Sequence, residues 1–117
     1  MTRPLYQAKA EFFKTLAHPA RIRVLELLAE RDHQVAELLP EVGIEAAHLS
    51  QQLAVLRRAG LVTSRRDGSG VVYSLTSPQV VDLLTVARRI LSEVVSGQVE
   101  LLADLRAALP TERADRG

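Results

Sequence analysis

Residues 35–75 read VAELLPEVGIEAAHLSQQLAVLRRAGLVTSRRDGSGVVYSL. The stretch changes period part-way. Up to residue 59 the apolar residues recur at helical spacing, with Leu49, Leu53 and Leu56 on one face. From Leu61 they come in two short β-prone runs, 61–66 and 71–75. Asp67-Gly68-Ser69-Gly70 separates the runs and has the composition of a turn. Gly43 sits between a short helix expected over 35–42 and a longer one expected over 46–59, and Gly60 ends the longer helix. Pro40 falls in the last turn of the short helix or bends it.

Two helices joined by a tight glycine turn and followed by a hairpin suggest a helix-turn-helix with a wing. In such a unit the second helix offers its N-terminal half to the major groove of DNA. With Leu49 and Leu53 facing inward, Ala46, Ala47, His48, Ser50, Gln51 and Gln52 are expected on the outer face. These side chains are small or polar. A Gln can pair bidentately with adenine, and Ser and His can reach acceptor edges. Arg57 and Arg58 near the end of the helix are candidate phosphate contacts. Arg65, Arg66 and Ser69 in the wing are candidates for phosphate or minor groove.

Working outward, residues 5–17 predict a first helix, with Leu5, Ala8, Phe12, Phe13 and Leu16 at helical spacing. His18-Pro19 punctuates it, and Pro19 is tolerated at the start of a second helix. Ile22, Val24, Leu25, Leu27 and Leu28 give that second helix a broad apolar face. Arg31-Asp32-His33 forms a polar break, after which Asp32 or Gln34 can cap the next helix. Beyond Ser77-Pro78 one long helix is expected over 78–109. Leu84, Ala87, Leu91, Val94, Leu101, Leu105 and Leu109 form a stripe along it, and a bend is open at Gly97-Gln98. Pro110 and the polar tail over 110–117 are expected to be disordered.

Composition narrows the function classes. The 117 residues are 47% apolar and 25% charged, with room for one domain. Aromatics reach only 3%, so the core must be aliphatic, which favours helices packed on helices. There is no cysteine, which rules out disulfides and thiolate metal sites. No apolar run approaches the ~18 residues of a membrane span, and no leader pattern is visible, so a cytoplasmic protein is expected. The net charge of +1 is unevenly spread. Between residues 47 and 75 the basic groups Arg57, Arg58, Arg65 and Arg66 face one acid, Asp67, as expected of a local nucleic-acid surface. No phosphate-cradling glycine loop, activated nucleophile or bracketing acid pair points to an enzyme.

The chain resembles the ArsR/SmtB family of small bacterial repressors. The resemblance is carried by FKTLAHPARIRVL at 13–25, VAEL at 35–38, LSQQLAVLRRAGLV at 49–62 and the run 70–75, and it extends over roughly 5–105. It implies a mainly α protein with a small β-hairpin: a dimeric winged helix-turn-helix of four helices, a two-stranded wing and a long fifth helix. It also implies that the first and last helices form the dimer interface. Leu5 and Phe12 on the first and Leu84, Ala87, Leu91, Val94, Leu101 and Leu105 on the last have the spacing for that role. Burial within one subunit is the alternative. The partners implied are a second copy and double-stranded DNA carrying an imperfect inverted repeat, with transcription repressed until an effector releases the protein.

The metal sites of the family are not matched. Where many members carry cysteines before the turn, this chain has Gln34 and Ala36. Where others place ligands at the start of the last helix and further along it, this chain has Ser77, Pro78, Gln79 and Ile90, with only Glu93 able to bind. Glu45 stands where a better helix cap such as Ser is expected. Of the three histidines, His18 is expected to cap or pack, and His48 lies on the reading face. His33, beside Asp32 and near Glu30, is the one loose candidate for nickel or zinc. A metal-linked regulator without cysteine ligands, and a helical interaction module that does not bind DNA, stay open as alternatives.

Overall fold

The computed structural model describes residues 3–108. The chain forms α1 (Leu5–Leu16), α2 (Pro19–Glu30), β1 (His33–Gln34), α3 (Val35–Val42), α4 (Ala46–Arg58), β2 (Val62–Asp67), β3 (Gly70–Leu75) and α5 (Gln79–Ala108). By its packing the chain divides into two compact units, Met1–Leu83 and Leu84–Gly117. Leu109 and the tail expected over 110–117 lie outside the described residues.

The core of the first unit is aliphatic. Val24 and Leu25 of α2, Leu38 of α3, Leu49, Leu53 and Leu56 of α4 and Val62 of β2 are fully buried. A buried side chain of this size contributes roughly 1.5–3 kcal/mol by leaving water. On α2, Ala20, Val24, Leu25, Leu27 and Leu28 are buried, so this helix takes the central place its apolar face predicted. Its start is fixed by His18, whose Nδ1 accepts from the Ala20 N–H at 3.1 Å. Pro19 supplies the preset φ of a first helical residue.

The wing holds the main departure in topology. A two-stranded hairpin was expected, but the sheet has three antiparallel strands in the order β1-β3-β2. His33 pairs with Tyr73 and Gln34 with Val72. The added strand therefore stitches the wing to the segment between α2 and α3. Within the hairpin Asp67 pairs with Gly70, leaving Gly68-Ser69 as a two-residue loop. Gly68 has φ +64°, the positive value that the first position of such a loop demands. At the base of the wing, the Thr76 hydroxyl donates to the Gly60 carbonyl at 2.8 Å, and the Thr76 N–H donates to the Leu61 carbonyl at 3.1 Å.

The end of α4 is also well determined. Gly60 donates to the Arg57 carbonyl and Leu61 to the Leu56 carbonyl, both at 3.0 Å, with Gly60 at φ +78°. This is the paired closure of a Schellman motif, which satisfies the Leu56 and Arg57 carbonyls as the chain passes from helix to strand.

In the second unit the described residues, 84–108, are helical throughout. The helix runs unbroken through Gly97 and Gln98, where a bend was open. Leu91, Val94, Leu101 and Leu105 are each about half exposed or more, as are Leu5 and Tyr6 on α1. Apolar side chains left exposed in a row along a helix are the mark of an interaction surface.

Candidate nucleic-acid interface

Helix α3 turns into α4 at Gly43, whose φ of +75° and N–H bond to the Leu39 carbonyl at 3.0 Å reverse the chain within a few residues. Pro40 is accommodated inside the last turn of α3. The start of α3 is held by Glu37, which accepts the Gln34 N–H at 2.9 Å and also pairs with Arg31 at 3.0 Å. These two bonds, Arg31 first, hold the Glu37 carboxyl below the ordinary glutamate range. The first turn of α4 has no comparable support, since Glu45 makes no side-chain cap bond.

On α4, burial of Leu49, Leu53 and Leu56 turns Ala46, Ala47, His48, Ser50 and Gln51 outward, all exposed. Gln52 departs from the expectation. It is 6% exposed, and its Oε1 accepts from Arg21 Nε at 2.7 Å, so it belongs to the packed side of the helix rather than to its front. Its position explains this: residues 49, 52, 53 and 56 lie on one arc of a helix.

The basic groups lie around that front. Arg57 and Arg58 are exposed at the end of α4, and Arg57 Nη1 reaches the Ser64 hydroxyl on β2 at 3.4 Å. Arg65 and Arg66 follow on β2, and successive strand residues point to opposite faces. Arg65 is already engaged: its Nη1 lies 3.1 Å from both Asp32 Oδ2 and the Ser74 hydroxyl. The Ser74 hydroxyl and the Arg65 guanidinium hold the Asp32 carboxyl below its ordinary range. Arg66 and Ser69 are exposed, and Arg66 has no ion pair among the described residues.

Between α4 and the sheet lies an open groove of about 350 Å³ lined by Ser50, Ala54, Arg57, Arg58 and Tyr73. Two guanidinium groups, a phenol and a serine hydroxyl converge there, a donor set suited to a phosphate oxygen. Tyr73 was not among the residues singled out from the sequence. The one aromatic of its strand, set opposite the wing strand that carries Arg65 and Arg66, was the available signal.

His33 is a buried side chain with one ring nitrogen hydrogen-bonded to the backbone. It is 5% exposed and its Nδ1 lies 2.8 Å from the Arg31 carbonyl, to which it donates. The carboxylates around it are drawn to arginines, Glu37 to Arg31 at 3.0 Å and Glu41 to Arg23 at 3.5 Å. Among the described residues no group of three or more His, Cys, Asp or Glu is placed to hold a metal ion. No helix among them is long and apolar enough to cross a membrane.

A sequence profile for "Bacterial regulatory protein, arsR family" matches residues 18–64, the span from the α2 cap through the first half of β2. An HTH-type transcriptional regulator of Mycobacterium tuberculosis, Rv0081, is 62% identical over 105 residues, 89% of this chain and 92% of that protein. The chain belongs to the arsR family. It is accordingly a DNA-binding transcriptional regulator with a winged helix-turn-helix. The crystal structure of Rv0081 matches this arsR-family chain with a TM-score of 0.78 and 61% identity, over 84% of this chain and 99% of that one. The homodimeric winged helix-turn-helix DNA-binding domain Mb0332 of Mycobacterium bovis matches with a TM-score of 0.70 and 27% identity, over 80% and 86% of the two chains. A biofilm growth-associated repressor of Xylella fastidiosa is 40% identical over 75 residues, 64% of this chain and 66% of that protein. These relatives are regulators of transcription and not enzymes.

Proposed function

We propose that two copies of this chain pair through α1 and α5 and set their α4 helices into successive major grooves of an imperfect inverted repeat, repressing transcription until an effector releases them. In this reading Ala47, His48, Ser50 and Gln51 meet base edges. Arg57, Arg58, Arg66 and Ser69 meet the sugar-phosphate backbone or the minor groove, and Tyr73 joins the phosphate contacts. Arg65 joins them when Asp32 gives it up. A bacterial regulator of this kind acts in the cytoplasm, where the chromosome is.

The observation that carries the reading is the front of α4. It is uncharged, small and polar, exposed, and flanked by arginines on the side of the wing. An uncharged reading strip inside a basic frame separates the two tasks of such a protein, base discrimination and backbone attraction. Pairing is supported by the apolar residues left exposed along α1 and α5 and by the homodimeric state of Mb0332. Repression is supported by the name of the Xylella relative.

The test is a gel-shift titration with duplexes enriched from a random pool by the protein itself, repeated over a range of salt. A twofold-related consensus, affinity falling steeply with salt and two chains per duplex are expected. Failure to enrich any sequence, with binding no tighter than to random DNA, would refute the reading and favour an interaction module that keeps only the fold.

A further inference from the structure

Gln52 sits on the reading helix but faces away from its front. Its Oε1 accepts from Arg21 Nε at 2.7 Å. The same guanidinium donates through Nη1 to the Thr15 carbonyl, in the last turn of α1, at 3.0 Å. Arg21 is half-buried on α2, and no carboxylate lies within ion-pair distance of it among the described residues. One planar cation therefore joins α1, α2 and α4, using neutral oxygens as its acceptors. A second contact comes from the same corner. His18, fixed by its cap bond to Ala20, presents its ring edge-on to that of His48, with centroids 5.9 Å apart and planes at 86°. The segment 15–21 thus grips α4 at positions 48 and 52, one turn apart, with Ser50 and Gln51 between them.

We propose that Arg21 and Gln52 are positioning residues for base reading: they fix the roll of α4 about its own axis. The inference rests on the reading of the α4 front given above. The leucines beneath α4 hold it down, but apolar contact is non-directional and constrains rotation weakly. A charge-assisted bond through a rigid guanidinium fork is directional. The difference matters because side-chain tips stand about 6 Å from the helix axis, so a roll of about 15° carries them some 1.5 Å. That displacement is enough to spoil a bidentate contact to a base edge, while a phosphate contact by a long arginine adapts to it. The bond from Arg21 to the Thr15 carbonyl also references this roll to α1, the helix assigned above to pairing.

The test uses the full chain, a duplex enriched by the parent from a random pool and a scrambled duplex of equal composition. Gln52→Leu keeps the buried volume and removes the acceptor. Arg21→Met keeps the apolar stem and removes the fork. Gln52→Glu keeps an acceptor for the same cation. For the first two we expect cooperative unfolding and the parent's sedimentation, binding to the scrambled duplex within about twofold of the parent, and a preference for the enriched duplex lowered about tenfold or more. For Gln52→Glu the preference stays within about threefold of the parent. A folded Gln52→Leu or Arg21→Met that keeps the parent's preference overturns the inference. So does parallel loss on both duplexes tracking a lowered melting temperature, which marks a purely structural bond. If Gln52→Leu does not fold, Arg21→Met decides alone, its position being half-exposed. A parent that binds both duplexes equally overturns the reading of the α4 front, and this inference with it.

Discussion

Arg65 of the wing and Asp32, just beyond α2, face each other across β3 at 3.1 Å, and the Ser74 hydroxyl joins the same guanidinium. Both side chains are about half exposed, at 57% and 49%. An exposed pair of this kind is weak, so a DNA phosphate competes with Asp32 for Arg65 on favourable terms. Asp32→Asn should tighten binding to specific and random duplexes alike by about two- to fivefold at low salt, with the gain fading as salt rises. Fluorescence anisotropy over a salt series checks this. Weaker binding in the variant would show that Asp32 orients Arg65 toward DNA instead of competing for it.

The same network has a signature in acid. The Asp32 and Glu37 carboxyls both titrate below their ordinary ranges, Asp32 through Ser74 and Arg65, Glu37 through Arg31 and the Gln34 N–H. A carboxyl whose folded pKa is depressed adds stability above its unfolded pKa and loses it as pH falls through the folded pKa. The ties from α2 to the wing and to α3 should therefore be complete at neutral pH and weaken only below the normal carboxylate range. Carbon-detected titration of the two carboxyls should find both displaced to low pH. Ser74→Ala and Arg65→Ala should each move Asp32 back toward its ordinary value and leave Glu37 where it is.

Base reading and backbone attraction should separate by residue. Gln51→Ala should lose roughly 1–3 kcal/mol on the enriched duplex and relax one base pair per half-site, with little change on random DNA. Arg66→Ala should weaken both duplexes together and flatten the salt dependence. Competition binding against single-base variants distinguishes the cases. The reverse pattern would make the wing the reader.

How much of this interface was legible in the sequence depends on the range of the interaction responsible. Gly43, Gly60 and Gly68 marked their turns because each takes a positive φ that other residues resist. His18-Pro19 marked the start of α2 by the same local logic. Strand β1 was not legible. His33-Gln34 is too short to show a period, and it is a strand only because Tyr73 and Val72 offer a ladder. The Asp32–Arg65 pair depends on that ladder and inherits its invisibility. Gln52 carries conflicting signals: its polarity points outward, while its spacing from Leu49 and Leu56 puts it on the buried arc, and the spacing prevails. Tyr73 was visible as an aromatic, yet only the groove between α4 and the sheet gives it a role.

The exposed face of α5 makes assembly testable without DNA. Leu91 is 63% exposed and lies on the same arc as Leu84, Ala87 and Val94. Leu91→Glu should leave the helix-turn-helix core folded, since none of that core includes Leu91, while shifting the protein to monomer or to disordered aggregate. Sedimentation velocity at micromolar concentration reads the outcome. A parent that is already a stable monomer there would refute pairing through this face.

The two bonds by which Thr76 closes the base of the wing have a consequence for how such proteins diversify. They make the hairpin a loop tied off at its neck, so its length is uncoupled from the helix that precedes it. Doubling a flexible loop costs only about 0.6 kcal/mol in closure entropy. Residues inserted at Gly68-Ser69 would lengthen the reach of the wing along the duplex without altering the seating of α4. Reach and readout can thus drift apart under mutation, so a descendant of this chain can acquire a new footprint on DNA before it acquires a new target sequence.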